Sequence, residues 1–205
     1  PFEVSIKRDS IELDSVTYEM IENDVFYISI NQFSDDTQKE FYQAVSDAIL
    51  KDAKGIILDL RFNGGGYLQI AENIISYFTG PNEVALQIVD SNNDYQIKKT
   101  NGKGYLKGLP AVVLINQGSA SASEIVAGAL QDLDLAEIVG ETSFGKGTIQ
   151  QLLEFENGST LKLTIAKWLT TSARDVNEIG ITPDFEVEIT EDDITNNYDS
   201  QLEKA

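Results

Sequence analysis

Lys146 stands between two glycines in the stretch GETSFGKGT, residues 140–148. A Walker A phosphate-binding loop has two glycines separated by four residues, followed by Lys and then Ser or Thr. Gly140, Gly145 and Lys146 fit that spacing, but Gly147 occupies the position of the hydroxyl residue. The stretch therefore predicts nucleotide binding poorly, and the amine of Lys146 is left as a candidate catalytic base.

The composition narrows the chemistry further, because the 205-residue chain contains no His and no Cys. Catalysis by Ser/His/Asp or Cys/His groups, disulfide bonds, and metal sites built from thiolates or imidazoles are all excluded. Any catalytic base must be a carboxylate, a tyrosine or a lysine. The net charge of −19, from 34 acidic and 15 basic residues, disfavours nucleic acids and anionic membranes as partners.

A group of serines lies at a predicted helix start in NQGSASASE, residues 116–124. Ser121 and Glu124 have the spacing of a capping box, so this pattern alone predicts that Ser121 is a helix N-cap. A serine can also act as a nucleophile with neutral lysine as its base. For Lys146 to be neutral it must be shielded, and we expect Phe144 and Ile149 to keep water and carboxylates away from it.

A second candidate element is the glycine turn in LDLRFNGGG, residues 58–66. Three consecutive glycines let the backbone approach a ligand closely and present its N–H groups. The same composition is also typical of a tight turn that binds nothing. The residues alone leave both interpretations open.

Both candidate turns follow short apolar runs, IILDL and AVVLI, that are typical of buried parallel strands. Amphipathic helices follow the turns, and this alternation predicts an α/β fold of right-handed βαβ units. Asn157 and Gly158 lie between two alternating runs and predict a β hairpin. We expect one domain over residues 1–205, with an acidic tail at 190–205 that forms a short helix or a frayed end.

The first predicted helix lies in SDDTQKEFYQAVSDAILKDAKG. Thr37 and Glu40 are spaced as a capping box, and Gly55 is the predicted helix end. The predicted buried face consists of Phe41, Ala44, Val45, Ala48 and Ile49.

Three segments together resemble one enzyme family. GSASASEIVAGALQDLDLAEIVGETSFGKGTIQ is similar to the signature block of the C-terminal processing, or tail-specific, serine peptidases. LDLRFNGGGYL resembles that family's LDLRxNxGG segment, and GITPDFEV resembles its closing GIxPDxxV. The order and spacing agree from Tyr27 to Val187. The resemblance implies a Clp-protease and crotonase-like spiral of βαβ units with additional β hairpins.

The resemblance implies three catalytic side chains. The nucleophile falls on Ser121, and not on Ser119 or Ser123. The general base falls on Lys146, and Gln150, four residues further on, matches a glutamine that orients the lysine.

The resemblance also implies an oxyanion hole. Its N–H donors fall on Ala122, which follows the nucleophile, and on Gly65 or Gly66 in the glycine turn. Asp132 matches a position at which relatives have an acidic residue with a structural role.

As an activity, the resemblance implies a serine endopeptidase that cleaves polypeptides near their C-termini through an acyl-enzyme, without a metal or cofactor. The implied partners are polypeptides with exposed C-termini, and the implied location is outside the cytoplasm. A PDZ module is expected in the full-length protein, and residues 1–16 resemble the strand that leaves it.

Two local departures from the family pattern are present. Phe62 replaces an asparagine that is common there, and Ala173 lies in a turn where relatives often have Pro and Gly, so we expect an altered loop shape.

Two other functions remain open on the residues. One is a catalytically silent core that binds peptide tails without cleaving them. The other is a crotonase-like acyl-CoA enzyme, which would share glycine-rich oxyanion turns but would need a basic patch for the CoA phosphates. The sequence has no such patch.

Overall fold

A computed structural model describes Val4 and residues 14–205, and within these residues ten strands form two sheets. The first sheet contains β1 (Val16–Met20), β2 (Val25–Ile30), β3 (Gly55–Asp59), β6 (Ala111–Ile115), β7 (Glu137–Gly140) and β10 (Phe185–Glu186). The second contains β4 (Val84–Asp90), β5 (Tyr95–Lys99), β8 (Thr148–Glu154) and β9 (Thr160–Leu169). The helices are α1 (Thr37–Leu50), α2 (Leu68–Thr79), α3 (Ala122–Asp132), α4 (Glu191–Asn196) and α5 (Ser200–Lys204).

The first sheet has the order β1-β2-β3-β6-β7-β10 and is parallel except for β1, which runs antiparallel to β2. Helix α1 connects β2 to β3, and α3 connects β6 to β7, so consecutive parallel strands are joined by helices. The predicted α/β architecture of βαβ units is confirmed. Residues 1–3 and 5–13, most of the segment that resembles the strand leaving a PDZ module, lie outside the described part of the chain.

The second sheet is antiparallel, with the order β5-β4-β9-β8. It consists of two hairpins, β4-β5 and β8-β9, and the second is the hairpin predicted from Asn157 and Gly158. Gly158 adopts a φ of +78° in the turn between β8 and β9, which is the conformation that makes Asn-Gly a favoured hairpin turn.

For helix α1, the predicted buried face is largely correct and the predicted end is wrong. Four residues of the predicted inner face are buried: Phe41, Ala44, Val45 and Ala48. Ile49 was expected on that face but is 50% exposed. The helix ends at Leu50, and the predicted stop, Gly55, is instead the first residue of β3.

The predicted capping box of Thr37 and Glu40 is also wrong, because the Glu40 side chain has other partners. Its Oε2 atom accepts hydrogen bonds from the backbone N–H of Ser15 and Val16 at 2.9 and 3.0 Å. Glu40 thus ties α1 to the start of β1, a long-range contact that a local pattern does not reveal.

The acidic tail forms α4 and α5 and docks on the first sheet. Gln201 is 1% exposed, and Leu202 packs against a small cluster centred on Ile57, Leu114 and Val139. Among the helices of the described residues, none is both long and apolar enough to cross a membrane.

Glu72 on α2 is a buried carboxylate with incomplete hydrogen bonding. It is 7% exposed, and its Oε1 atom has no hydrogen-bond partner among the described residues. Burial raises the pKa of Glu72 above its ordinary value. The charged form therefore costs stability at neutral pH, and this cost disappears as the pH falls through the folded-state pKa.

Glu72→Gln is expected to stabilise the fold at pH 7 by about 1 kcal/mol, because a neutral amide is easier to bury than a charge. Thermal unfolding followed by circular dichroism should show a higher Tm at pH 7 and a smaller difference below about pH 4.5. Glu19→Gln, which removes the same charge from an exposed position on β1, is the control. Equal shifts in both variants would contradict the assignment to burial.

Candidate active site

Two turns lie at the carboxyl ends of neighbouring parallel strands. Residues 60–67 follow β3, residues 116–121 follow β6, and these strands are paired in the sheet. Ligand sites of open α/β sheets lie at this edge, beyond the carboxyl ends of the strands. The two sequence-predicted turns are therefore brought together by the topology.

Ser121 occupies a strained turn between β6 and α3. It is the N-cap residue of α3 and has φ +57° and ψ −113°, a conformation that non-glycine residues rarely adopt. Such strain costs about 1–3 kcal/mol and is found at functional sites, as in the strand-to-helix turns that expose a nucleophilic serine. The N-cap interpretation and the nucleophile interpretation are thus compatible for this residue.

Asn63 locks the two turns together from a fully buried position. Its side-chain amide donates to the Ile30 carbonyl at 2.6 Å, and its backbone carbonyl accepts from Ala120 N–H at 3.0 Å and from Ser123 Oγ at 2.9 Å. The glycine turn and the serine turn therefore form one rigid unit. The sequence indicated Asn63 only as part of the family motif.

The glycines of the turn have different roles. Gly65 N–H donates to Asn63 Oδ1 at 2.8 Å, and a Cβ atom added to Gly65 would lie 2.8 Å from Ser121 Cβ. Gly65 is therefore required for close approach to Ser121, and its amide is already engaged. Among the described residues, Gly66 N–H makes no such internal bond, so of the two predicted glycine donors Gly66 is the one available.

Lys146 lies in the loop between β7 and β8, and its backbone is held on both sides. Its N–H donates to Glu124 Oε2 at 2.9 Å, and its carbonyl accepts from the indole N–H of Trp168 at 2.9 Å. The loop leads into a strand, whereas a Walker A loop leads into a helix. The nucleotide-binding interpretation is therefore excluded by the local fold.

The two glycines beside Lys146 are needed for different reasons. Gly145 has φ +86°, a conformation that favours glycine, and turns the chain there. Gly147 does not have a positive φ; an added Cβ would lie 2.7 Å from Asn177 Cβ, so glycine is needed there for close packing.

Glu124 connects the serine turn to the lysine loop. The side chain is fully buried, and its carboxylate accepts four hydrogen bonds. Ser121 N–H and Lys146 N–H donate to Oε2 at 2.7 and 2.9 Å, and Ser143 Oγ and Gly145 N–H donate to Oε1, both at 2.6 Å. Sequence reasoning found only the contact with Ser121, because the lysine loop is distant in the chain.

Glu124→Gln is expected to lower kcat by about 100-fold with a smaller change in KM, because a misplacement of about 1 Å can cost that much. All four partners are donors, so an amide NH₂ would face two of them and push the serine turn away from the lysine loop. Steady-state kinetics on the folded variant test this, with Glu141→Gln in the same loop as control. A variant that is less stable but has parental kcat would show that Glu124 has only a structural role.

Ser121 and Lys146 line one cavity of about 600 Å³, together with Gly65, Gly66 and Gln150. The cavity brings the predicted nucleophile, base and glycine turn together. No hydrogen bond joins Ser121 Oγ to Lys146 Nζ in the described part of the chain. The two side chains therefore line the same cavity without a direct hydrogen bond between nucleophile and base.

The predicted shielding of Lys146 is only partly present. Ile149 is half-buried and packs against the main core, but the Phe144 side chain is 66% exposed. Lys146 itself is half-buried. The Phe144 prediction is wrong, and Trp168, which is 1% exposed and lines the cavity, is the large apolar group beside the lysine.

Gln150 reaches the cavity from β8, close to a β-bulge. The register shifts between Ile149 and Gln150, which pair with Ala166 and Thr164 respectively. Strict alternation would leave only every second residue facing the cavity, yet Thr148, Ile149 and Gln150 all line it. A bulge redirects side chains in this way.

Arg61 anchors the start of the glycine turn. Its guanidinium pairs with Asp59 at 2.6 Å and with Asp199 at 2.8 Å, and its side chain is 11% exposed. Burial opposes the charge of Asp199, but hydrogen bonds from Arg61 and from Leu202 N–H outweigh it and lower the pKa of Asp199. The ion pair of Arg61 with Asp199 therefore joins the C-terminal tail to the glycine turn, a contact that the sequence did not predict.

Asp132 has the structural contacts expected of it. It accepts hydrogen bonds from Ser172 N–H and Oγ at 2.7 and 2.6 Å and pairs with Arg174. The turn it holds contains Ala173 at φ +64°, so alanine adopts the strained conformation expected to favour glycine. Phe62 likewise has φ +60°, where an asparagine is better tolerated.

A larger cavity, of about 780 Å³, lies at the opposite edge of the first sheet, where β3, β6 and β7 begin. None of the predicted site residues lines it. Among the described residues, no three His, Cys, Asp or Glu side chains are grouped so that they could hold a metal ion.

Comparison with known proteins adds independent findings. The profile of peptidase family S41 matches residues 24–187. The carboxy-terminal processing protease CtpA of Bacillus subtilis is 40% identical over 187 residues, which cover 91% of this chain and 40% of that protein. The carboxyl-terminal-processing protease of Synechocystis is 38% identical over 212 residues, covering 100% and 49%. The chain thus spans less than half the length of these relatives.

Solved structures agree on the fold. The photosystem II D1 C-terminal processing protease superposes with a TM-score of 0.79 and 30% identity, over 88% of this chain and 50% of that one. A putative S41 protease from Bacteroides fragilis gives a TM-score of 0.81 at 17% identity, over 96% and 58%. The second of these similarities concerns the fold alone.

Proposed function

Because the chain belongs to peptidase family S41, we propose that it is a serine endopeptidase that cleaves polypeptides near their C-termini. The observation that carries this proposal is the convergence of Ser121, Lys146 and the glycine turn on one cavity. In a chain without His or Cys, this is the arrangement with which a peptide bond can be attacked and its proton transferred.

In the first half of the reaction, the neutral amine of Lys146 accepts the proton of Ser121 Oγ as this oxygen attacks the scissile carbonyl carbon. The resulting ammonium then donates that proton to the leaving amine as the C–N bond breaks. The products are an acyl-enzyme on Ser121 and a free C-terminal fragment.

In the second half, Lys146 accepts a proton from water while the water oxygen attacks the acyl carbon. The C–O bond to Ser121 breaks, and the proton returns to Ser121 Oγ. Gln150, which lines the same cavity, holds the lysine amine in place in both halves.

The carbonyl oxygen becomes negatively charged in each tetrahedral intermediate, and backbone N–H groups stabilise it. We assign this role to Ala122 and Gly66. Ala122 is the first residue of α3, where an N–H group has no acceptor within the helix. Gly66 is preferred to Gly65 because the Gly65 amide is bound to Asn63.

The substrate binds as an extended strand along β8. This strand is the outer edge of the second sheet, contains no proline, and starts two residues after Lys146. An unpaired strand edge accepts an extended peptide through main-chain hydrogen bonds. Pairing with β8 would lead the peptide directly into the cavity of Ser121.

The direct test is to incubate the protein at pH 6–10 with an unfolded polypeptide that ends in an apolar tail and to identify the products by mass spectrometry. New C-termini close to the original end are expected. Lack of cleavage, with binding retained, would favour the silent peptide-binding core instead.

Two further proposals rest on the family resemblance alone. The first is that a PDZ module accompanies this core in the full-length protein. The second is that the protein works outside the cytoplasm. Cell fractionation with an antibody against this core tests the second, and cleavage rates with and without an added PDZ module test the first.

A further inference from the structure

The cavity that contains Ser121 differs in charge from the rest of the molecule. The chain has a net charge of −19, yet this cavity is lined by two lysines and by no Asp or Glu. Four further cavities of the described residues each have at least one carboxylate in their lining. A cleft lined by one sign of charge concentrates ligands of the opposite sign.

Lys146 and Lys162 are the two lysines of this cavity, and they differ in what they can contribute. Lys146 must be neutral when it accepts the proton of Ser121. Lys162 is exposed, and a lysine side chain in water is positively charged at neutral pH. Of the two lysines, Lys162 is thus the one that provides a positive charge at the cavity throughout the reaction.

The position of Lys162 is set by the β8-β9 hairpin. Lys162 pairs with Leu152, and Gln150 pairs with Thr164, so these four side chains share one face of the hairpin. Lys162 and Gln150 are diagonal neighbours, about 7–8 Å apart at their Cα atoms. No ion pair of the described residues involves Lys162, although acidic residues outnumber basic ones by 34 to 15.

We propose that Lys162 is a specificity residue that binds a carboxylate of the polypeptide substrate beside the scissile bond. The proposal rests on the proposed peptidase function of the same cavity. The carboxylate can be the α-carboxylate at the end of a short tail or the side chain of an Asp or Glu within it. In both cases the substrate supplies the acidic partner that the protein itself does not.

The size of the effect follows from the exposure of Lys162. Exposed ion pairs contribute up to about 1 kcal/mol, which corresponds to a preference of about fivefold in kcat/KM. The preference should decrease at high salt, because exposed charges are screened.

The test compares three peptides of one sequence with an apolar tail. The first is neutral, with Asn beside the cleavage site and an amidated end. The second has Asp in place of Asn, and the third has a free C-terminal carboxylate. Their kcat/KM values are measured for the parent, for Lys162→Gln and Lys162→Glu, and for Lys99→Gln, which removes the same charge from an exposed site on β5 at the far edge of the same sheet.

The expected result is an approximately fivefold preference of the parent and of Lys99→Gln for one or both acidic peptides. Lys162→Gln should lose this preference, and Lys162→Glu should reverse it. The peptide that shows the preference identifies the source of the carboxylate. The proposal is overturned if the parent has no preference, or if both Lys→Gln variants reduce it equally, as a net-charge effect would.

Failure of the peptidase function can be told apart from failure of this proposal. If no peptide is cleaved, the same peptides carrying a fluorophore are titrated against the Ser121→Ala protein with and without Lys162→Gln, and binding is followed by anisotropy. A carboxylate preference that depends on Lys162 would support the proposal without cleavage. Equal binding of all three peptides would overturn it.

Discussion

Ser121→Ala is expected to lower kcat for peptide cleavage by about 10⁴-fold or more, because it removes the oxygen that forms the acyl-enzyme. The variant should still bind peptides, since it lacks only the hydroxyl oxygen. Alanine at φ +57° costs about as much as serine does there, and loss of the N-cap oxygen should lower stability by only about 1 kcal/mol, so the variant should still fold. Product formation measured by mass spectrometry gives the turnover, and anisotropy gives the peptide affinity separately.

Ser123→Ala is the matched control for that experiment. Ser123 lies two residues further along α3, is fully buried, and donates to the carbonyl of Asn63. Its loss removes one hydrogen bond and should lower stability by about 1 kcal/mol while keeping kcat within about tenfold. Turnover by Ser121→Ala at more than a tenth of the parental rate would place the nucleophile elsewhere.

Lys146→Met is expected to lower kcat by about 10³-fold, the contribution of a well-placed general base. Methionine keeps the unbranched apolar stem and lacks only the terminal amine, so the loop between β7 and β8 should remain in place. That loop is held through the backbone of Lys146 by Glu124 and Trp168, and these contacts do not need the amine. The loss is therefore attributable to the amine itself.

The pH dependence gives the second readout for Lys146. A general base must be neutral to accept a proton, so the parental rate should rise with pH, and the residual rate of Lys146→Met should lack this rise. Lys167→Met, on β9 outside the cavity, is the control and should keep the parental profile. An unchanged profile in Lys146→Met would mean that another group is the base. Inactivity of the parent itself would favour the silent binding core.

Local patterns in the sequence were sufficient for much of the fold. Asn-Gly at residues 157–158 predicted the β8-β9 hairpin, and the apolar runs before the two turns predicted β3 and β6. These features depend on neighbours within a few residues, and for that reason a pattern can indicate them. The wrong capping box of α1 concerns a helix end, where a distant partner competes for the Glu40 side chain. The carboxylate of Glu40 binds the start of β1 instead of its own helix.

For the active site, the sequence by itself determined the available chemistry. Without His and Cys, the base is restricted to a carboxylate, a tyrosine or a lysine, and the resemblance pointed to Ser121 as nucleophile and Lys146 as base. Only the tertiary structure decided how they are held. Glu124 bonds to residues 19–22 positions away, the Gly65 amide is taken by Asn63, and Lys162 reaches the cavity across a hairpin. Such contacts depend on packing between segments that are distant in the chain, and a local sequence pattern does not indicate which distant segments will meet.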